Sequence, residues 1–296
     1  MAEGSEGGPF ELDRRLLRRA LEKAAPGYDQ AAFLHREVGQ RLLERLDLLT
    51  LRPAVIVDVG CGTGLITAAL MKKYRKARVI GLDLAPALVR AAQRRAPWLR
   101  SLHGAVAEAV ALPLADASCD LIFSNLALPW YLDLDPVFAE FRRVLRPGGA
   151  LMFSTLGPDT LGELRRAWAA VDSYNHVNAF LDMHDIGDAL LRARLAEPVM
   201  DVERLNLSYG DVDALLRDLK ALGATNVTAG RARGLTGKGR LQALRTACTA
   251  AQNAEGRLSI SCELVYGHAW GPLPEQARPR PGNGPAVFPL AQLRRR

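Results

Sequence analysis

The chain has 296 residues, a formal charge of +7 and an apolar content of 49%, which suits a globular protein with one large α/β domain and additions, and no repeat period stands out. No apolar run approaches the ~18 residues of a membrane span, and Met1-Ala2-Glu3-Gly4-Ser5-Glu6 lacks a basic segment followed by an apolar core, which predicts a cytosolic (cytoplasmic) protein with no membrane partner. Cys61, Cys119, Cys248 and Cys262 are scattered without metal-ligand spacing, so all four read as free thiols and no metal site is expected.

The expected organisation is a disordered start over 1–10, one domain over 11–270 and a disordered Pro/Arg-rich tail over 271–296. Within the domain, 11–50 forms a helical lid, 51–156 the core, 157–200 a cap insertion, and 201–270 a closing sheet with a basic segment. Leu12, Leu16, Leu17 and Leu21 recur at helical spacing, as do Leu34, Val38, Leu42, Leu46 and Leu49, predicting two amphipathic helices separated by Gly27-Tyr28-Asp29.

Strand 54–59 follows, a nearly unbroken run of β-branched residues interrupted only by Asp58, as expected of a parallel strand covered on both faces. Gly60, Gly62 and Gly64 then supply positive φ and let a ligand approach the backbone, ahead of a helix over 64–73 whose N-terminus faces the same crevice. Taken alone, such glycines also suit a simple tight turn. The strand 78–83 ends in Asp83, where a ribose diol would need a carboxylate acceptor, although an acid capping the helix 86–95 has a similar signature. After a short strand over 101–105, Glu108-Ala109 stands before Leu112-Pro113 and the strand 119–125, where the adenine side of one ligand would lie. Helix 134–145, the turn Pro147-Gly148-Gly149 and strand 149–155 complete the alternation. It predicts a doubly wound, mostly parallel sheet with the ligand at the carboxyl ends of its strands.

Past residue 156 the pattern departs from a minimal sheet: a helical insertion over 158–195, a strand over 202–209, a helix over 211–222 and a final strand over 258–268 with alternating apolar positions. Insertions at that end of a sheet usually cover the site. Residues 219–254 hold Lys220, Arg231, Arg233, Lys238, Arg240 and Arg245 and no acid, which reads as a solvated basic face or as a dock for an acidic partner or a phosphate. Five further arginines against Glu275 lie in 271–296, leaving the body mildly basic.

The run Asp58-Val59-Gly60-Cys61-Gly62-Thr63-Gly64 with Asp83 and Glu108 resembles the class I S-adenosylmethionine-dependent methyltransferases over roughly residues 25–270. The resemblance implies S-adenosyl-L-methionine as cofactor, with the turn holding its methionine part, Asp83 its ribose hydroxyls and Glu108 its adenine amine. Leu84, Ala109 and Asn125 complete that set, with Arg36 for the methionine carboxylate. Tyr28 resembles a lid tyrosine that closes over the cofactor; a packing aromatic at a helix junction is the other reading.

Three further segments, Ser124 through Trp130, Ser154 through Leu164, and Ala167 through Asp172 with His176 through Leu181, look like the malonyl-acyl-carrier-protein O-methyltransferases of biotin synthesis. Leu219 through Asn226, Gly230-Arg231, Leu235-Thr236, Leu241 through Leu244 and Val265 through Trp270 continue the similarity. Pro129 stands where that family more often has Gln. The resemblance implies methylation of the free carboxylate of a malonyl thioester, carried by acyl carrier protein or by coenzyme A.

An ionised carboxylate needs no general base, and an arginine should hold its unreactive oxygen; Arg142, Arg165 and Arg166 are the candidates. Trp130 and His176 either line an acyl channel or serve as a core Trp and a capping His. Lys220, Arg231, Arg233, Lys238 and Arg240 would dock the acidic carrier. An S-adenosylmethionine-binding assembly factor, akin to arginine-hydroxylating relatives for a respiratory complex, is the alternative, because it shares the Gly-Pro-Asp-Thr-Leu segment at 157–161. A small-molecule carboxyl methyltransferase is third. Nucleic acid is not the expected partner, since the strand end Ser124-Asn125-Leu126-Ala127 lacks the Asn/Asp-Pro-Pro-aromatic form and the basic segment has no interleaved aromatics. The oligomeric state is left open.

Overall fold

The computed structural model describes residues 10–272; the expectations of disorder for residues 1–9 and for the tail beyond Pro272 lie outside the described residues. Helices α1 (Arg14–Ala24), α2 (Tyr28–Ala31) and α3 (Phe33–Arg45) come first. Asp13 starts α1 by accepting the N–H groups of Arg15 and Leu16, both at 3.0 Å, the short acceptor that first-turn donors need. The leucine stripe of α1 buries Leu17 and Leu21 against Leu88 and Val227. The stripe of α3 buries Val38, Leu42 and Leu43 on the sheet face that carries Leu121 and Phe123. Gly27-Tyr28-Asp29, expected to separate them, runs into the single turn α2.

Alternation then gives β1 (Val55–Val59), α4 (Leu65–Lys73), β2 (Arg78–Asp83), α5 (Pro86–Arg95), β3 (His103–Val106), β4 (Cys119–Asn125), α6 (Asp135–Val144) and β5 (Leu145–Leu156). Helices α7 (Gly162–Ala169) and α8 (Met183–Arg192), strand β6 (Ala196–Tyr209), helices α9 (Val212–Ala221) and α10 (Lys238–Cys248) and strand β7 (Leu258–Trp270) complete the order. The sheet runs β3-β2-β1-β4-β5-β7-β6. Its first five strands are parallel, and β7 is antiparallel to both neighbours. This is the doubly wound, mostly parallel class expected from the sequence. Chain order reverses between β1 and β4, which opens a crevice at their carboxyl ends.

Burial on both faces explains the run in β1, all five residues of which are buried. Phe138, Phe141 and Phe153 pack on one side and Leu42, Leu70 and Phe123 on the other. The antiparallel strand β7 crosses Phe153 at Gly267, where a Cβ would stand 2.1 Å from the phenyl Cζ.

Three expectations need correction. Strand β5 begins at Leu145, not at 149: Cys119 pairs with Leu145 and Leu121 with Ala150, so Pro147-Gly148-Gly149 bulges within the strand instead of preceding it. Strand β6 begins at Ala196, not at 202, because β7 continues to Trp270 and supplies partners as far as Ala196. The insertion is helical only in α7 and α8, with 170–182 between them irregular. Asp182 accepts the His184 N–H at 2.8 Å and so marks where α8 starts.

Candidate active site

The turn after β1 puts Gly60, Gly62 and Gly64 at φ of 76°, 54° and 80°, the left-handed region that a side chain disfavours. Two of these glycines serve packing. A Cβ on Gly60 would meet the Ala127 Cβ at 2.3 Å, and one on Gly64 the Ala92 Cα at 2.6 Å. Gly62 alone of the three is open, with nothing nearer than a Tyr28 ring carbon at 3.9 Å, so its backbone is the part of the turn that a ligand can approach.

Two carboxyls stand beside it in different surroundings. Asp58 is 2% exposed and accepts a 2.6 Å hydrogen bond from the Thr67 hydroxyl. Burial pushes its carboxyl up to about 7 despite that bond, and the neighbouring Asp83 adds to the rise. Asp83 accepts the N–H of Gly62 at 2.9 Å and that of Ala85 at 3.0 Å. The helix-cap bond and the bond to the glycine turn therefore coexist on its two oxygens. Burial raises the Asp83 carboxyl, and the amides of Ala85, Gly62 and Leu84 pull it partly back.

A cavity of about 600 Å³ opens on this turn. Its walls include Tyr28, Arg36, Asp58, Gly60, Cys61, Gly62, Asp83, Leu84, Ala109, Asn125, Trp130 and His176, which the sequence scatters over almost 150 positions and the fold gathers. Pro129 is there too. Gly64 lies behind the wall, packed on α5. Glu108 does not line the cavity; it faces Arg14, with Nε at 3.8 Å, while the adjacent Ala109 N–H donates to the Tyr131 hydroxyl at 3.1 Å.

The lid expectation acquires a partner that sequence reading missed. Tyr28 sets its ring edge against His35, with centroids 5.6 Å apart. Burial pushes the Tyr28 phenol up, with Asp83 and Asp29 adding to the shift, so it stays protonated. Asp29 accepts from the Thr63 hydroxyl at 2.5 Å, pairs with Arg95 and offers its carbonyl to Arg36 Nη2 at 3.3 Å. It thus ties α2 to the glycine turn and to α5. Its only signal in the sequence is its place next to Tyr28. Burial pushes the His35 imidazole down to about 4, leaving it neutral. Asn125 donates to the His35 carbonyl at 2.8 Å and accepts from the Ser154 hydroxyl at 2.8 Å, which joins α3, β4 and β5 at the cavity floor.

Past the turn the cavity continues into a mostly aliphatic lobe walled by Leu161, Leu164, Val177, Phe180, Leu207 and Ile260. None of the three expected arginines is in it. Arg165 spends its guanidinium on the carbonyls of Pro158, Thr160 and Asn178 at 3.2 to 3.4 Å, and Arg166 is a surface charge 3.5 Å from Glu163 and 75% exposed. Arg142 does not line the cavity either. The segment 157–161 is bolted to β7: the Asp159 N–H donates to the Glu263 carboxylate at 2.9 Å, and the Thr160 hydroxyl donates to the Glu263 carbonyl at 3.1 Å. Its composition is explained by that attachment. His176 does stand in the wall, bonded through Nε2 to Asp172 at 2.8 Å and stacked on Trp168 at 3.6 Å.

The basic residues lie outside the cavity, and part of their charge is spent locally. Arg240 Nη1 is 3.7 Å from Asp172, and Arg231 donates to the Thr228 carbonyl at 2.8 Å. Lys220, Arg233 and Lys238 are exposed.

The methyltransferase domain family matches residues 57–153, the stretch that contains the glycine turn, Asp83 and the strand end at Asn125. Among solved structures, the YcgJ protein of Bacillus subtilis shares the fold with a TM-score of 0.58 at 16% identity, covering 79% of this chain and 99% of its own. A curated malonyl-[acyl-carrier protein] O-methyltransferase from Gallionella capsiferriformans is 48% identical, over 91% of this chain and 94% of its own length. Its namesake from Laribacter hongkongensis is 49% identical, over 92% and 93%. Similarity at that level over nine-tenths of the chain establishes that it belongs to the malonyl-[acyl-carrier protein] O-methyltransferase family.

Proposed function

We propose that this chain transfers a methyl group from S-adenosyl-L-methionine to the free carboxylate of a malonyl thioester borne by an acidic acyl carrier protein or by coenzyme A. The observation that carries the reading is one continuous cavity, from a glycine turn with two buried carboxyls to an aliphatic lobe, in a chain nearly half identical to enzymes of that name.

The residues fit the cofactor. Gly62 leaves its side of the turn open, Asp83 has a carboxylate whose remaining lone pairs can accept a ribose diol, and Arg36 brings a cation to the wall where a methionine carboxylate would sit. Glu108 can meet an adenine amine only by turning from Arg14. When bound, the cofactor supplies a methyl group on a positively charged sulfur that departs as a neutral thioether. The chain itself has little proton chemistry to do. A carboxylate with a reference pKa near ~4 is already ionised at neutral pH, so no base is required. Tyr28 and α3 exclude water from one side and the aliphatic lobe from the other. Holding the two reactants in line is the main contribution, a term worth up to about 7 to 11 kcal/mol in well-oriented cases.

Mass spectrometry of malonyl-acyl carrier protein incubated with the protein and S-adenosylmethionine tests the proposal, with malonyl-coenzyme A and unloaded carrier alongside. A gain of one methylene unit that depends on the malonyl group is the expected result. No gain, with S-adenosylhomocysteine still binding by calorimetry, would sink it and favour the assembly-factor reading.

A further inference from the structure

The imidazole of His176 in the wall of the aliphatic lobe is held more tightly than a packing residue requires. Asp172 Oδ1 lies 2.8 Å from His176 Nε2 and also takes the Tyr174 N–H at 3.1 Å. Its other oxygen lies 3.7 Å from Arg240 Nη1 and has no hydrogen bond among the described residues. Burial raises the Asp172 carboxyl, yet the bonds from His176 and Tyr174 and the charge of Arg240 hold it below the usual carboxylate range. Asp172 is therefore an ionised acceptor. The imidazole lies flat on the Trp168 indole, 5° from parallel, so the ring cannot swing out of its plane without losing that contact, nor flip without losing its bond to Asp172.

An ionised acceptor at Nε2 keeps a proton on that nitrogen. In the neutral ring this leaves Nδ1 with its lone pair. Among the described residues no hydrogen bond reaches Nδ1, so a wall that also carries Asn178, Asn206 and Asn226 offers a ligand an oriented ring acceptor at His176. A malonyl group has no N–H or O–H to give it. An ionised carboxylate would be repelled by a lone pair, which argues against His176 as the holder of the reacting group. What a carrier-borne or coenzyme A-borne thioester does contain is an arm with secondary amides, each presenting an N–H.

We propose that His176 Nδ1 accepts the amide N–H of the thioester arm, with Asp172 as the positioning residue that fixes its tautomer and Trp168 the platform that fixes its plane. The assignment rests on the functional reading above and deepens it. It makes the site selective for an amide-bearing thioester over an equally long alkyl one, because a site that hydrogen-bonds a substrate N–H loses that bond to an analogue without it.

The test compares two small competitors against malonyl-acyl carrier protein: the malonyl thioester of N-acetylcysteamine, which retains one amide, and malonyl pentyl thioester, of matching length without it. The parent protein should be inhibited about tenfold more strongly by the amide-bearing compound. In His176→Phe, which keeps the stacking surface but not the nitrogens, the ratio should fall to about one. In His176→Gln, whose carbonyl restores an acceptor, it should partly return. Nitrogen NMR of the parent should show an Nε2-protonated tautomer, and its Nδ1 signal should shift with the amide-bearing compound alone. A ratio near one in the parent, or one unchanged in His176→Phe, overturns the assignment even where the carrier-linked substrate is methylated. Failure of methylation itself removes the functional reading, and this assignment with it. S-adenosylhomocysteine binding reports whether each variant is folded.

Discussion

At the scale of single residues, the cofactor end of the cavity contains two ionisable groups with opposite costs. Burial raises Asp58 from 3.8 to about 7, so between those values the folded protein binds more protons than the unfolded chain, and stability falls as the pH rises. Burial lowers His35 from 6.5 to about 4; there the folded protein binds fewer protons, and stability rises with pH. The two effects offset one another below pH 6.5, and above it Asp58 acts alone until it is fully ionised. Asp58→Asn, which keeps an acceptor for Thr67, should therefore stabilise the protein more at pH 8 than at pH 5, by an amount on the order of a few kcal/mol. His35→Gln should gain most below pH 5. Urea unfolding at the two pH values checks both signs, and an Asp58→Asn gain that is independent of pH would mean that the carboxyl is ionised throughout. Glycines permit a second comparison, since Gly64 and Gly148 have similar positive φ, 80° and 74°. No described residue comes within 4 Å of a Cβ on Gly148, whereas one on Gly64 strikes Ala92 backbone. Gly148→Ala should cost about 1 to 2 kcal/mol of backbone strain, and Gly64→Ala distinctly more, measured by the same unfolding experiment.

At the scale of elements, packing partners decide what a sequence reveals. Strands β1, β2 and β4 and helix α5 are legible almost to the residue, because burial on both faces demands unbroken apolar runs and Pro86 opens its helix. The bulge in β5 is not, because Pro147-Gly148-Gly149 has the same composition whether it precedes a strand or bulges from one, and only pairing with β4 decides. The first six residues of β6 hide for a related reason. They lie on an outer strand whose exposed positions are free to be Glu197, Val199 and Asp201. The cavity wall around the glycine turn is legible because class I resemblance lies in contiguous runs. Asp29 and the Asp172 clamp are not, since their roles depend on Thr63, Arg95 and Arg240, contacts that no spacing rule connects. The β5–β7 contact gives a sharper test of this view. A methyl on Gly267 would enter the ring of Phe153, so Gly267→Ala should destabilise by about 1 to 3 kcal/mol, and Phe153→Leu in the same chain should recover part of that loss. Strictly additive losses in the double variant would show that the two strands do not share this contact.

At the scale of the whole molecule, the net charge of +7 overstates what the basic segment can offer a partner. Arg245 is spent on Asp213 at 3.0 Å, Arg240 on Asp172 and Arg231 on a backbone carbonyl. Lys220, Arg233 and Lys238 pair with no carboxylate among the described residues, and their field extends into solvent within a Debye length of about 8 Å at physiological ionic strength. If an acidic carrier docks on this face, those three cations steer it, while the other three hold the fold and the His176 clamp in place. The charge reversals Arg233→Glu and Lys238→Glu together should then lower kcat/KM for malonyl-acyl carrier protein several-fold at low salt and flatten its decline with added salt. The N-acetylcysteamine thioester has no acidic carrier to steer, so its inhibition constant should not move. Arg245→Ala should instead lower the melting temperature slightly and leave the salt dependence intact. A salt response that Arg233→Glu/Lys238→Glu leaves intact would place the carrier on another face of the molecule. The cavity and its amide acceptor would stand unaffected, because neither Arg233 nor Lys238 lines the cavity or pairs with Asp172 among the described residues.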